Sequence, residues 1–363
     1  MRLPAWIAWR DLWAHRRQAV ALGAVFASAV TAFVTLGAYR DALVRDYPAA
    51  QEDRLVVQET QSFGEFYGSR LSPDVAHLLD DLGVADPIPE IHAIVGTSLE
   101  DAVLLKGVDL GNFAAIDSFI VRNGRSLRPG DAPRTAMIGM RLAERWELES
   151  GDVIRLRGRA FDVVGVFETG SYAENEAWVP LAGAQGLLGW EQDVSLYVVP
   201  AGGAMRPGAL LREGVSVAGR GELWSTFPRQ WEGLMALIGT VTQAIGLEAV
   251  LSLAAMLWRL AWRRRRQIAI LRSVGFGRSV AGVYLAAQGA MITLMGGAAG
   301  VLAAMALLRW ARPTLGGVSL RPYLTADVLL STGLWLAILM VFSVVVPASL
   351  LGRTPVAEIV SAE

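Results

Sequence analysis

Residues 263–279 read Arg-Arg-Arg-Arg-Gln-Ile-Ala-Ile-Leu-Arg-Ser-Val-Gly-Phe-Gly-Arg-Ser and lie between two long apolar stretches. Ile268, Leu271 and Val274 recur at helical spacing and share one face. Gly275 and Gly277 end that helix, and Ser279 supplies a cap for the segment that follows. A positive flank that only anchors a membrane span accounts for Arg263, Arg264, Arg265 and Arg266. It does not account for the apolar face, the glycine turn or the cap. A short helix that docks a cytoplasmic protein accounts for all four features.

Outward from this connection, four stretches meet the requirement of about 20 mostly apolar residues for a bilayer crossing. They are residues 19–38, 233–260, 280–308 and 328–351; the second contains Glu248 and Arg259. A secretory signal has an apolar core of about 7–15 residues, so the longer first stretch reads as an uncleaved anchor. Arg2, Arg10, Arg16 and Arg17 precede it, and seven arginines with no acid fill the second-to-third connection. Arg309, Arg312 and Arg321 fall in the third-to-fourth connection and argue the other way. With Arg353 the vote is twelve to three, which places both termini and residues 261–279 in the cytoplasm. Trp231, Trp258, Trp262 and Trp310 stand at the span ends, where indole rings favour the headgroup region. Trp6, Trp9 and Trp13 share a helical stripe with Arg10 and Arg17 beside it. Two readings stay open there: a short helix lying in the interface, or a plain positive flank.

Composition agrees with a membrane chain. Of 363 residues 53% are hydrophobic and 18% charged, against roughly 25% charged in soluble domains, and the mean hydropathy is +0.40. The net charge of −1 is a cancellation: residues 40–232 carry 18 basic and 29 acidic side chains, the rest 15 and 5. Positive charge therefore lies beside the most apolar segments rather than on a soluble face, which disfavours nucleic-acid binding. There is no cysteine, hence no disulfide or thiolate site. His15, His77 and His92 are far apart and show no metal-ligand spacing, so no metal site is expected.

Residues 40–232 read as a mixed α/β domain. Strand-length runs occupy residues 55–58, 102–106, 153–157, 161–167 and 195–199, and helical spacing occupies 72–81 and 135–146. A turn at residues 149–152 and a hairpin bent around Gly158 follow. The domain contains no Gly-x-Ser-x-Gly, His-Glu-x-x-His, calcium loop or phosphate-binding loop, and no catalytic residue is assigned. Glu144, Glu147, Glu149 and Asp152 read as a solvated helix end and turn.

Two features inside the spans stand out. Glu248 is mid-span, where a carboxylate costs about 2.5–3.5 kcal/mol on insertion scales, so it calls for a partner helix, a subunit interface or a wet cavity. It is either a functional group or a buried polar contact. Gly296, Gly300 and Ala304 repeat every fourth residue with Gly289 and Gly297 nearby, which lets helices approach closely within the bundle or across a dimer.

The connection also resembles a known family. Residues 264–275 are similar to the pattern Arg-Arg-x-Glu-Ile-Gly-x-Leu-Arg-Ala-x-Gly of the FtsX/MacB-type permeases of ABC transporters, with Gln267 where that family usually has Glu. The tail, Pro347-Ala348 and then Arg353-Thr354-Pro355-Val356-Ala357-Glu358, looks like the family's as well. So do Gly107-Val108-Asp109, Gly124-Arg125, Ile138-Gly139, Leu142-Ala143, Ser150-Gly151-Asp152 and residues 161–166, which resemble the MacB-type periplasmic domain.

The resemblance implies a membrane protein with four transmembrane α-helices and an α/β extracytoplasmic domain inserted between the first and second. In order, the chain would run as interfacial helix 1–17, first span 18–39, outer domain 40–232, second span 233–260 and coupling helix 261–279. The third span 280–308, outer loop 309–327, fourth span 328–351 and cytoplasmic tail 352–363 complete it. It implies a bacterial inner-membrane permease subunit that is not itself an enzyme. A separate cytoplasmic ABC ATPase, which would bind the ATP and Mg, acts through Arg264, Arg265, Arg266, Gln267, Ile268, Leu271, Arg272, Val274 and Gly275. Four spans are few for a pathway, so two permease chains, identical or different, are expected to pair. Export or extraction of a lipophilic substrate from the membrane lipid follows, with a periplasmic adaptor if the weaker likeness to DevC-type exporters extends that far. The alternative is a signalling permease that transports nothing and activates an extracytoplasmic hydrolase or sensor.

Overall fold

Uncharged apolar runs have only one way to satisfy their backbone in a bilayer short of closing a barrel, and that is a helix. In the computed structural model each of the four stretches is one. α1 is Arg16–Arg45; the other three are taken up below after the outer domain. The structure describes residues 16–45, 54–60, 62, 68–96, 101–202, 205–219, 232–263, 279–311, 313–315, 317–322 and 324–353, with isolated positions 6, 9, 10, 13, 14, 266 and 270. The chain divides into two units: Met1–Ala42, Leu234–Ala311 and Arg321–Glu363 form one, and Leu43–Gly233 with Arg312–Leu320 forms the other.

The second unit is built on one mixed sheet. Its strands are β1 Arg54–Glu59, β2 Ile88–Val95, β3 Val103–Val108, β4 Ile120–Gly124, β5 Thr135–Gly139, β6 Val153–Leu156, β7 Arg159–Glu168, β8 Glu176–Pro180, β9 Leu196–Pro200, β10 Leu210–Arg212 and β11 Val215–Gly219. The order is β10-β11-β1-β9-β2-β3-β8-β5-β7-β4, with β6 paired to β7. Alternation along each strand divides the side chains between two faces. Leu55 and Val57, Ile91 and Ala93, Val103 and Leu105, Ala136 and Ile138, and Ala177 and Val179 line one core. Three helices cover it: α2 Asp74–Asp81 through Val75 and Leu79, α4 Met140–Trp146 through Leu142, and α5 Leu181–Leu188 through Ala184 and Leu187. The opposite face carries a smaller core of Val108, Phe113, Leu127, Met137, Phe167 and Trp178, covered in part by the four-residue α3, Phe113–Ile116.

The expected helix over residues 135–146 is corrected. Residues 135–139 form β5, paired with β7 and β8, and only Met140–Trp146 is helical. All five β5 residues are buried, because a central strand is covered on both faces and so loses the alternation that marks strands in sequence. The hairpin around Gly158 is present: Arg157 and Gly158 link β6 to β7 with φ of 46° and 77°, the positive values a two-residue turn of type I′ requires. The turn at 149–152 is closed by the Glu149 N–H donating to Asp152 Oδ2 at 2.7 Å. Scattered sequence pieces meet in space. Gly124, at φ 75°, is packed so closely that a Cβ would stand 2.3 Å from both Ser150 Oγ and the Val164 carbonyl, and Arg125 N–H donates to Val164 O at 2.8 Å.

The first unit contains α1 with α6 Glu232–Arg263, α7 Ser279–Trp310 and α8 Ala326–Arg353. Among the described residues Ala19–Ala42 and Ala286–Trp310 are long and apolar enough to cross a membrane, and Ala236–Ala249 and Ala326–Ile338 are shorter apolar runs. Their shared core is Phe26, Val30, Val34, Ala249, Ile292, Ala304 and Val328. At one end Thr325 caps α8, its Oγ1 accepting from Val328 N–H at 3.2 Å and donating to Asp41 Oδ2 at 2.6 Å. Tyr39 O–H donates to the Ala311 carbonyl at 2.9 Å, one of the acceptors beyond α7. Trp6, Trp9 and Trp13 are helical and half or more exposed, with Trp9 and Trp13 stacked at 6.3 Å and Arg10 lying 5.4 Å over Trp6.

Candidate functional site

Of the connection singled out by sequence, Arg266 and Ile270 are helical and exposed. Arg264, Arg265, Gln267, Ile268, Leu271, Arg272, Val274 and Gly275 lie outside the described residues. The two ends they join are placed, at Arg263 of α6 and Ser279 of α7.

Within the helical unit, the small-residue stripe of α7 faces α1. A Cβ on Gly296 would stand 2.8 Å from Phe26 Cδ1, and one on Gly300 would stand 2.7 Å from both Ala27 O and Val30 Cβ. Thr31 Oγ1 lies 2.7 Å from Ala27 O and 3.1 Å from Gly300 O, which ties the two backbones together. Gly289 is buried higher on the same helix. Glu248 stands exposed on α6 with Leu247 and Leu251 beside it. An apolar recess between α1, α6 and α8 is lined by Ala29, Phe33, Gly246, Ala249, Thr332 and Trp335.

The outer domain holds a buried polar layer on the sheet face away from α2, α4 and α5. Register places Lys106 of β3 beside His92 of β2 and Trp178 of β8. Lys106 Nζ is 2.6 Å from Asp117 Oδ2 and 3.2 Å from Glu90 Oε1, and lies 5.1 Å over the Trp178 ring. His92 Nε2 is 2.9 Å from Glu90 Oε2, and Trp178 Nε1–H donates to Glu176 Oε2 at 2.7 Å. Burial pushes the Glu176 carboxyl above the usual carboxylate range, against the opposing charges of Lys106 and His92 and the hydrogen bonds of Trp178 and Tyr172. Phe113, Phe119 and Phe167 pack around Trp178 with ring centroids at 6.2, 5.4 and 4.1 Å. Among the described residues no cluster of His, Asp and Glu is arranged to hold a metal. The side chains of the layer pair with one another as an ion network. The sequence signal was present in Glu90 and His92 at period two, but buried charges in a strand read as a loop.

A second polar assembly was not legible at all. Residues 314–319, expected as plain loop, form a hairpin of β12 Thr314–Leu315 and β13 Val318–Ser319 that belongs to the outer-domain unit. Arg145 of α4 donates from Nη1 to Gly317 O at 2.8 Å and from Nη2 to Ala102 O at 2.9 Å. Ser319 N–H donates to Asn175 Oδ1 at 2.7 Å, and Arg141 Nη1 lies 3.5 Å from Ser319 O. Arg141 Nε is also 3.1 Å from Glu174 Oε2 in a pair with both side chains under 10% exposed. Glu174 Oε1 in turn accepts from Gly170 N–H at 2.7 Å.

Comparison with known proteins places these parts. A family described as MacB-like periplasmic core domain matches residues 19–209, and one described as FtsX-like permease C-terminal matches residues 242–356. No curated protein sequence matches the chain significantly. Among solved structures, the periplasmic region of MacB from Actinobacillus actinomycetemcomitans is similar at 12% identity and a TM-score of 0.37, over 51% of this chain and 97% of that one. A domain of a putative permease protein from Porphyromonas gingivalis is similar at 15% identity and a TM-score of 0.28, over 48% and 90%. The two family matches leave little of the chain unassigned. It is a membrane protein with an extracytoplasmic domain, a member of the FtsX/MacB-type ABC transporter permeases.

Proposed function

We propose that this permease subunit crosses the inner membrane four times through α1, α6, α7 and α8, with both termini and residues 263–279 in the cytoplasm. An ABC ATPase docks on the helix at Gln267–Val274, and two permease chains pair so that each receives one ATPase. ATP-driven closure of the ATPase dimer moves the helices and, through them, the outer domain, which exports or extracts a lipophilic substrate from the membrane. The observation that carries this reading is the position of the arginine-rich amphipathic segment, which joins the end of α6 directly to the start of α7. Arginine on that side and acid on the other support the orientation.

The test is reconstitution of the chain and its ATPase in proteoliposomes, after mass spectrometry of lipid that copurifies with the complex. ATP-dependent depletion of that lipid from the bilayer is the expected result. ATP-dependent activation of an added extracytoplasmic hydrolase with no lipid movement would replace this reading by the signalling one.

A further inference from the structure

We infer that the 314–319 hairpin is a tie through which the ends of α7 and α8 are held to the outer domain, with Arg145 as the residue that positions it. The inference rests on the proposed ATP-driven reading and adds to it a route that sequence did not suggest. Residues 43–45 and 232–233 are the other covalent passages between the two units, so the hairpin supplies the outer domain with a third point of attachment.

The contacts are those of a built junction. A surface loop can leave its carbonyls to water at no cost, yet here Gly317 O, Ser319 O and Ser319 N–H all go to outer-domain side chains. Arg145 spans two chain segments with one guanidinium, gripping Ala102 ahead of β3 and Gly317 in the hairpin turn. Burial lowers its proton affinity, opposed by the Asp101 carboxylate, so the grip is made by a partly desolvated cation whose hydrogen bonds are strengthened accordingly. Gly317 is required twice over: its φ is 90°, and a Cβ there would stand 2.9 Å from Ala102 O. The other half of the junction is anchored at depth, since Arg141 is fixed by Glu174, and Glu174 is fixed by the backbone at Gly170. A buried ion pair is weak evidence for stability but can hold one geometry against alternatives. A hairpin this short, held through its turn and its second strand to α4 and Asn175, transmits displacement rather than absorbing it.

The experiment uses the full chain with its ATPase in nanodiscs and reads hydrogen exchange across residues 43–233 with and without Mg-ATP and orthovanadate. Arg145→Ala is expected to keep ATPase association and basal hydrolysis within about twofold while losing most of the nucleotide-dependent change in exchange. Arg145→Lys, whose ammonium keeps the charge and reaches one of the two carbonyls, is expected to retain part of the response. Undiminished response in Arg145→Ala, or a response in Arg145→Lys no greater than in Arg145→Ala, overturns the inference and leaves the ATP-driven reading standing. Absence of any ATPase association with the unaltered chain removes that reading, and the tie with it.

Discussion

The ammonium of Lys106, the chain's single lysine, lies 2.6 Å from the Asp117 carboxylate inside the outer domain. Lysine on a strand normally sends its flexible stem to water. Here the side chain is almost wholly buried, between Glu90, Asp117 and the face of Trp178. Removing one partner of a buried pair leaves an uncompensated charge and costs about 3–5 kcal/mol. Lys106→Met should therefore lower the urea midpoint of outer-domain hydrogen-exchange protection by that equivalent, and Asp117→Asn in the same background should recover part of it. No loss in Lys106→Met would show the network to be dispensable.

Glu176 makes stability depend on pH in a defined direction. Its carboxyl is raised in the folded domain by burial, so the folded state binds more protons than the unfolded state above the ordinary glutamate value of 4.5. Stability contributed by this group is thus present at low pH and declines as pH rises from that value through the raised one. Glu176→Gln should flatten this part of the urea-midpoint profile and stabilise the domain on its alkaline side. Asp131 works the opposite way, because hydrogen bonds from Arg125 lower its carboxyl, and its contribution is lost as pH falls. Asp131→Asn should lower the urea midpoint at neutral and alkaline pH and so remove the acid-side decline, leaving the midpoint at the acid end unaltered.

Gly300 of α7 packs closely against α1. A methyl group there meets the Ala27 carbonyl and the Val30 side chain at 2.7 Å, and overpacking of this kind costs about 1–3 kcal/mol. Gly300→Ala should lower the thermal midpoint of the detergent-solubilised chain, and Gly300→Leu should prevent recovery of a monodisperse peak on size exclusion. Gly333→Ala, at a site with open space around it, should leave both unchanged.

Glu248 is exposed on α6, with no covering side chain among the described residues. Glu248→Gln should accordingly leave the thermal midpoint of the single chain unaltered while changing lipid-stimulated ATP turnover of the assembled complex. Unchanged turnover would remove any functional claim for this carboxylate.

The four long helices were legible because an uncharged apolar run such as residues 19–38 has few other uses. The outer domain was legible at its hairpins, where Gly158 and the 149–152 turn force local geometry. It was less so at the centre of the sheet. There Thr135–Gly139 is buried on both faces and resembles helix, and Ile88–Val95 hides Glu90 and His92 whose partners arrive from β3 and beyond. The hairpin junction was not legible. Arg141, Arg145 and Asn175 are separated from Gly317 and Ser319 by more than 140 residues, and a guanidinium on a helix has no local mark that its acceptor is a distant carbonyl.

The central claim, that a cytoplasmic ATPase drives this permease through the segment between α6 and α7, is tested most directly by pull-down of the ATPase with the full-length chain carrying Leu271→Asp. A carboxylate among the apolar positions Ile268, Leu271 and Val274 should abolish association while the outer domain keeps its hydrogen-exchange protection. Association equal to that of the unaltered chain would contradict the account.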